Sequence, residues 1–142
     1  MSVARALVTG ASGFVGPHLV AALHRAGHEV WTTDRETDPR HPAERHACCD
    51  LGDPLTTRAL FERVRPAWVF HLASLSSVAY SFQNPREVLL TNLGAAVNVL
   101  EAVRQVAPAA RVLVVGSAEQ YGNVPEAEQP IRETQPCRPA SP

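Results

Sequence analysis

The nine residues Val8-Thr9-Gly10-Ala11-Ser12-Gly13-Phe14-Val15-Gly16 decide the fold. They join a short apolar run, residues 4–9 (ARALVT), to a stretch with apolar side chains at Phe14, Val15, Leu19, Val20 and Leu23. The first run is followed by glycine and reads as a buried strand. The second has helical spacing. Three glycines fall three residues apart between them. At a strand–turn–helix junction this spacing suits a phosphate cradle: Gly10 permits the tight turn, Gly13 lets backbone approach the anion, and Gly16 lets the helix close on the strand. The helix start then offers free N–H groups and the positive end of its dipole, with Ser12, Phe14 and Val15 in the turn. A purely structural glycine turn is the alternative, and the junction argues against it. Pro17 fits the first helical turn and Gly27 the stop.

Outward from this turn, strands and helices alternate. Residues 29–33 (EVWTT) read as a second strand ending at Asp34, and residues 36–44 as a polar loop. Residues 46–49 form a short third strand closed by Asp50-Leu51. Asp53-Pro54 reads as N-cap and first position of a helix running to about Arg65. Residues 68–73 (WVFHLA) form a fourth strand, and the Ser-rich residues 74–84 a loop. Residues 85–106 read as a long helix with Val88, Leu89, Leu93, Val97, Leu100 and Val103 near one stripe. Residues 111–115 (RVLVV) form a fifth strand. The alternation predicts an α/β fold: a Rossmann-like, doubly wound parallel sheet of about five strands in the order 3-2-1-4-5, with helices on both faces. Residues 1–123 are read as this domain. Residues 124–142, which hold five of the 12 prolines, are read as a mobile tail.

Composition narrows the function. At 142 residues the chain is one domain by length, and roughly two-thirds of its unfolded surface can be buried. A net charge of -1, from 13 basic against 14 acidic residues, argues against nucleic-acid binding through bulk charge. No apolar run approaches the ~18 residues of a membrane span. Residues 1–5 (MSVAR) do not read as the start of a signal peptide. Cys48 and Cys49 read as buried thiols in a reducing compartment, which predicts a cytoplasmic protein, and no Cys/His spacing predicts a metal site. All 13 basic residues are arginine; lysine does not occur.

Asp34 stands 18 residues past Gly16, where a carboxylate accepts hydrogen bonds from the adenosine ribose and favours NAD. Arg35 beside it can hold a 2′-phosphate and favour NADP, so both cofactors stay open. Asp50 and Leu51 would lie beside the adenine, although an ordinary turn accounts for their spacing as well.

These residues resemble the extended short-chain dehydrogenase/reductases of the NAD-dependent epimerase/dehydratase family, which act on nucleotide sugars. TGASGFVG is similar to the family's TGxxGxxG turn, and Asp50-Leu51 to its adenine-side pair. His71-Leu72-Ala73-Ser74 resembles its fourth-strand ending, whose backbone passes the nicotinamide ribose. Asn84-Pro85, Thr91-Asn92 and residues 97–102 (VNVLEA) resemble its long helix, and residues 116–122 (GSAEQYG) its fifth-strand loop. The resemblance covers the whole chain. It is nearest to GDP-4-keto-6-deoxy-D-mannose reductases, with GDP-mannose 4,6-dehydratases next and UDP-glucose 4-epimerases and dTDP-glucose dehydratases further off.

The resemblance implies an NAD- or NADP-dependent oxidoreductase or lyase working at carbon 4 of a nucleotide sugar, with a GDP-sugar favoured. It implies cofactor contacts at Leu72, Ala73, Ser74 and Asn92, and sugar contacts at Ser76 and Ser77. Ser117 matches the hydroxyl that polarises the reacting oxygen, and Glu119 the carboxylate that takes a carbon-5 proton in the dehydratases. It implies a homodimer through the helix of residues 85–106. It also implies a Tyr-x-x-x-Lys pair directly after Ser141-Pro142, then further strands and a substrate domain. Neither Tyr80 nor Tyr121 has a lysine four residues on. The reading is therefore an N-terminal cofactor half, inactive alone. A non-catalytic dinucleotide-binding sensor and an unstable truncated product are the alternatives.

Overall fold

The computed structural model describes residues 3–142. Met1 and Ser2, which open the stretch read as lacking a signal peptide, lie outside the described residues. Five strands carry the fold: β1 (Arg5–Thr9), β2 (Glu29–Asp34), β3 (His46–Cys48), β4 (Trp68–His71) and β5 (Arg111–Val114). They form one parallel sheet in the order β3-β2-β1-β4-β5, as the alternation predicts. Four helices connect them: α1 (Gly16–Arg25), α2 (Pro54–Val64), α3 (Val78–Gln83) and α4 (Pro85–Val106).

Neighbouring side chains on each central strand go to opposite faces. Leu7 and Val69 join Phe61, Val64, Val99 and Val103 in a core under α2 and α4. Val8 joins Ala11 and Val30 on the other face, against Leu19, Val20 and Leu23 of α1 and Phe70 of β4. Asp53 caps α2 as its spacing predicts, accepting from the N–H groups of Leu55 at 3.0 Å and Thr56 at 3.4 Å. Arg65 ends that helix in the left-handed region, with φ 45°.

Four expectations need correction. The Ser-rich stretch is not all loop, because Ser77 accepts from the Tyr80 N–H at 3.3 Å and starts α3. The apolar residues of α4 do not share one stripe. Val88, Ala95, Val99, Ala102 and Val103 are buried, whereas Leu89, Leu93, Val97 and Leu100 face outward. Phe14 and Val15 precede α1, and Phe14 is 90% exposed. Cys48 is exposed and only Cys49 is buried, since two consecutive residues at a sheet edge cannot both point inward. All three cysteines are free thiols.

The edge strand β5 leaves Leu113 and Val114 exposed, and Val115 just beyond it is exposed too. Beyond it the chain makes two short 3-10 turns, Ala118–Tyr121 and Glu126–Glu128. The Arg138 N–H returns to the Gln120 carbonyl at 2.9 Å, which brings the proline-rich segment back over the first of these turns. No helix among the described residues is long and apolar enough to cross a membrane.

Candidate functional site

The sheet's connections go outward to β2 and β3 on one side of β1 and to β4 and β5 on the other. At that point of reversal the C-terminal ends of the strands frame a crevice, which is where open α/β sheets bind ligands. Thr9 is in register with Thr33 on one side and His71 on the other. A cleft of about 1030 Å³ opens there, at the upper limit of small-molecule sites. It runs from Gly10, Gly13 and Asp34 past His71 and Ser74 to Ser117 and Glu119.

The glycine turn is built for close approach. Gly10 has φ +66°, and a Cβ there would come within 2.7 Å of the Ala73 backbone. A Cβ on Gly16 would overlap the Ala11 backbone. The Gly13 N–H donates to the Gly10 carbonyl at 3.1 Å and closes the turn. Pro17 sits in the first turn of α1, and no side chain among the described residues caps that helix start. Its N–H groups are left for an anion.

Asp34 at the end of β2 receives the Ser12 N–H on Oδ1 at 3.1 Å. Its Oδ2 is buried without a partner among the described residues. An orphaned carboxylate oxygen in a cleft is an open acceptor for a hydroxyl donor. This oxygen, the glycine turn and the uncapped helix together fit a dinucleotide cofactor. Arg35 lines the same end and is exposed. Ser12 does not line the cleft; its hydroxyl donates to Asp38 Oδ2 at 2.7 Å.

Asp50, Leu51, Leu72, Ala73 and Ser74 all line the cleft, as do Ser76 and Ser77. The Leu51 carbonyl accepts from Asn98 Nδ2 at 2.8 Å, which ties this corner to α4. Asn92 lines the cleft too, but its side chain is engaged twice by Leu75. Oδ1 accepts from the Leu75 N–H at 2.8 Å and Nδ2 donates to the Leu75 carbonyl at 3.1 Å. Asn92 thus positions the loop that carries Ser74, Ser76 and Ser77.

Ser117 and Glu119 sit together at the far end of the cleft, both exposed. The Ser117 Oγ accepts from the Glu119 N–H at 3.2 Å and caps the 3-10 turn. That contact uses a lone pair and leaves the hydroxyl proton to give. The Glu119 carboxylate forms no ion pair among the described residues.

Three features went unread in the sequence. Thr9 and His71 face each other across β1 and β4 inside the site. Their strand-end positions were the available signal. Thr91 lines the cleft one residue before Asn92. Asp38, Arg40 and the stacked rings of His41 and His46 (centroids 5.5 Å apart) fold loop 35–45 against the glycine turn. Nothing in that polar stretch signals its arrangement. No group of three or more metal-ligating side chains occurs among the described residues.

Comparison with known proteins agrees with the geometry. A UDP-glucuronate 4-epimerase of Arabidopsis thaliana is 35% identical over 129 residues, a match covering 82% of this chain and 30% of that protein. The GDP-6-deoxy-D-mannose reductase of Pseudomonas aeruginosa is also 35% identical over 129 residues, covering 91% of this chain and 39% of the reductase. The UDP-glucose 4-epimerase of Thermus thermophilus, solved with NAD, superposes with a TM-score of 0.87 at 36% identity, over 96% of this chain and 45% of that one. The RMD protein of Pseudomonas aeruginosa, solved with NADPH, gives 0.76 at 32% identity, over 98% and 43%. The chain therefore spans less than half the length of each of these relatives. Identity does not separate the UDP-sugar from the GDP-sugar enzymes. Residues 6–142 match the NAD dependent epimerase/dehydratase family, and the chain belongs to it.

Proposed function

We propose that this chain is the cofactor-binding part of an NAD(P)-dependent enzyme acting at carbon 4 of a nucleotide-linked hexose. The observation that carries the reading is the unbroken cleft from the glycine turn and Asp34 to Ser117 and Glu119. One end is fitted to a dinucleotide and the other to polar chemistry on a second molecule.

When bound, the nicotinamide ring supplies hydride transfer. This chain's own residues do the rest. The start of α1 holds the pyrophosphate. The free Asp34 oxygen accepts from a ribose hydroxyl. Asn92 fixes the serine loop beside the sugar. Ser117, with its acceptor side occupied by Glu119 N–H, donates its proton toward the reacting carbon-4 oxygen and polarises it. The exposed Glu119 carboxylate serves as base where a proton alpha to the keto group must leave.

A proton donor of the tyrosine–lysine kind cannot be assembled from these residues, since lysine does not occur in the chain. The 142 residues accordingly bind cofactor without turning over a sugar. The outward Leu89, Leu93, Val97 and Leu100 of α4 form the surface of a homodimer, and the free thiols fit a reducing cytoplasm. The resemblance of FVG, FHLAS and GSAEQYG to the GDP-4-keto-6-deoxy-D-mannose reductases supports a GDP-sugar. A non-catalytic dinucleotide sensor is the second reading, since the cofactor end of the cleft is built from these residues alone.

Intact mass in the native source tests the reading. A mass well above 15.3 kDa, with turnover of a GDP- or UDP-4-keto sugar by the longer protein, is expected. A longer protein inactive on both classes overturns it. A native mass of 15.3 kDa transfers the weight to the sensor, whose partner binding a Gly13→Asp change should abolish together with cofactor binding.

A further inference from the structure

Loop 35–45 holds an arginine at the cofactor turn with its fork already filled. Arg40 Nε lies 3.0 and 2.9 Å from the two Asp38 carboxylate oxygens, and its Nη2 lies 2.6 Å from Oδ2. The same Nη2 donates to the Ser12 carbonyl at 3.0 Å, so the guanidinium touches the glycine turn directly. Ser12 completes the cluster from the other side. Its hydroxyl donates to Asp38 at 2.7 Å and its N–H to Asp34 at 3.1 Å. One residue of the turn thereby bridges two carboxylates, one of which keeps a buried, unpartnered oxygen.

The chemistry of this cluster bears on one decision. An arginine fork binds a carboxylate and a phosphate with the same planar geometry. Asp38 occupies the Arg40 fork as a phosphate monoester would. The Asp38 side chain is 9% exposed and Arg40 is 56% exposed, so the carboxylate is enclosed and the cation keeps a solvent-facing side; the pair reaches the turn through Ser12 rather than by lining the cleft itself. A ribose hydroxyl brings a proton for Asp34 Oδ2. A 2′-phosphate brings only acceptors and meets two anions.

We propose that Asp38 is the residue that sets cofactor choice: by filling the Arg40 fork beside the Asp34 ribose site, it makes the turn select the dinucleotide without a 2′-phosphate. The proposal rests on the reading that the glycine turn holds a dinucleotide. It assigns the specificity switch to the loop and leaves Asp34 as the ribose anchor.

The test is calorimetric titration of the 142-residue chain with NAD+ and with NADP+ at fixed ionic strength. The proteins are the wild type, Asp38→Asn, and Asp38→Asn combined with Arg40→Gln. The wild type is expected to bind NAD+ more tightly. Asp38→Asn should shift the affinity ratio toward NADP+ by about tenfold or more, the size of one charge-assisted contact. The added Arg40→Gln should reverse that shift. If Asp38→Asn melts below the assay temperature, Asp38→Ser takes its place. An unchanged ratio in the Asp38 variant, a shift that survives Arg40→Gln, or a wild type that already prefers NADP+ overturns the proposal. A wild type that binds neither dinucleotide overturns the reading of the turn itself, and the proposal with it.

Discussion

The Thr9 hydroxyl lies 2.8 Å from His71 Nδ1, across the β1–β4 junction where the strand order reverses. The same oxygen accepts from the Ala73 N–H at 3.2 Å. Its own proton and its second lone pair both face Nδ1, so the contact serves either neutral tautomer of His71. One side chain thus fixes the end of β4 and the backbone of Ala73 that lies against Gly10.

Replacing Thr9 with valine keeps the shape and removes both contacts. It leaves the Ala73 N–H and His71 Nδ1 without partners. The expected loss is about 1–3 kcal/mol of stability, read from urea unfolding. An unchanged unfolding midpoint would show that the pair holds nothing.

Burial pushes the His71 imidazole below its ordinary value. A depressed value means that the unfolded chain binds the proton more readily. The stability contributed by neutral His71 is full above about pH 6.5 and falls as the pH drops through the folded value. Melting temperatures measured from pH 7.5 to 5 should decline, and His71→Asn should flatten that decline. A slope that persists in the variant would assign the effect elsewhere.

Gly16→Ala should be costly because the new methyl meets main-chain atoms of Ala11, which cannot swing aside as a flexible side chain would. Forcing α1 off β1 is expected to cost about 1–3 kcal/mol and to weaken NAD+ binding along with it. Gly94→Ala, where a Cβ meets nothing within 4 Å, is the matched control and should be neutral or stabilising. Equal melting temperatures for the two variants would contradict this account of the turn.

Thiol labelling should be uneven. Cys48 and Cys137 are exposed and should react quickly with iodoacetamide. Cys49 is buried, and burial pushes its thiol above the ordinary range, so it should lag. Peptide mapping reads the three rates. Cys49 lies in the core cluster and at the cleft wall, so a rate as fast as that of Cys48 would mean that this packing opens readily.

Much of this was legible in the sequence because the determinants are local. The glycine spacing, Pro17, the Asp53-Pro54 start and the strand runs each fix a turn or an end, and their order fixes the sheet. Asp34 was legible because its place at a strand end depends on the same local pattern. The α4 stripe was misread because outward Leu93 and Val97 are as apolar as inward Val99. Apolarity alone cannot tell a core face from a face with another use. The Thr9–His71 pair, the Asn92–Leu75 clamp and the Asp38–Arg40 latch depend on contacts between distant or irregular segments, which no periodicity encodes.

The central claim is that the cleft holds a dinucleotide with its pyrophosphate at the start of α1. Amide proton–nitrogen spectra of the isotope-labelled chain, recorded while NAD+ is added, test it residue by residue. Saturable shifts are expected at Gly10, Gly13, Phe14, Val15, Gly16, Asp34 and Ala73, with little change along α2. Spectra that do not move, or that move only away from the glycine turn, would contradict it.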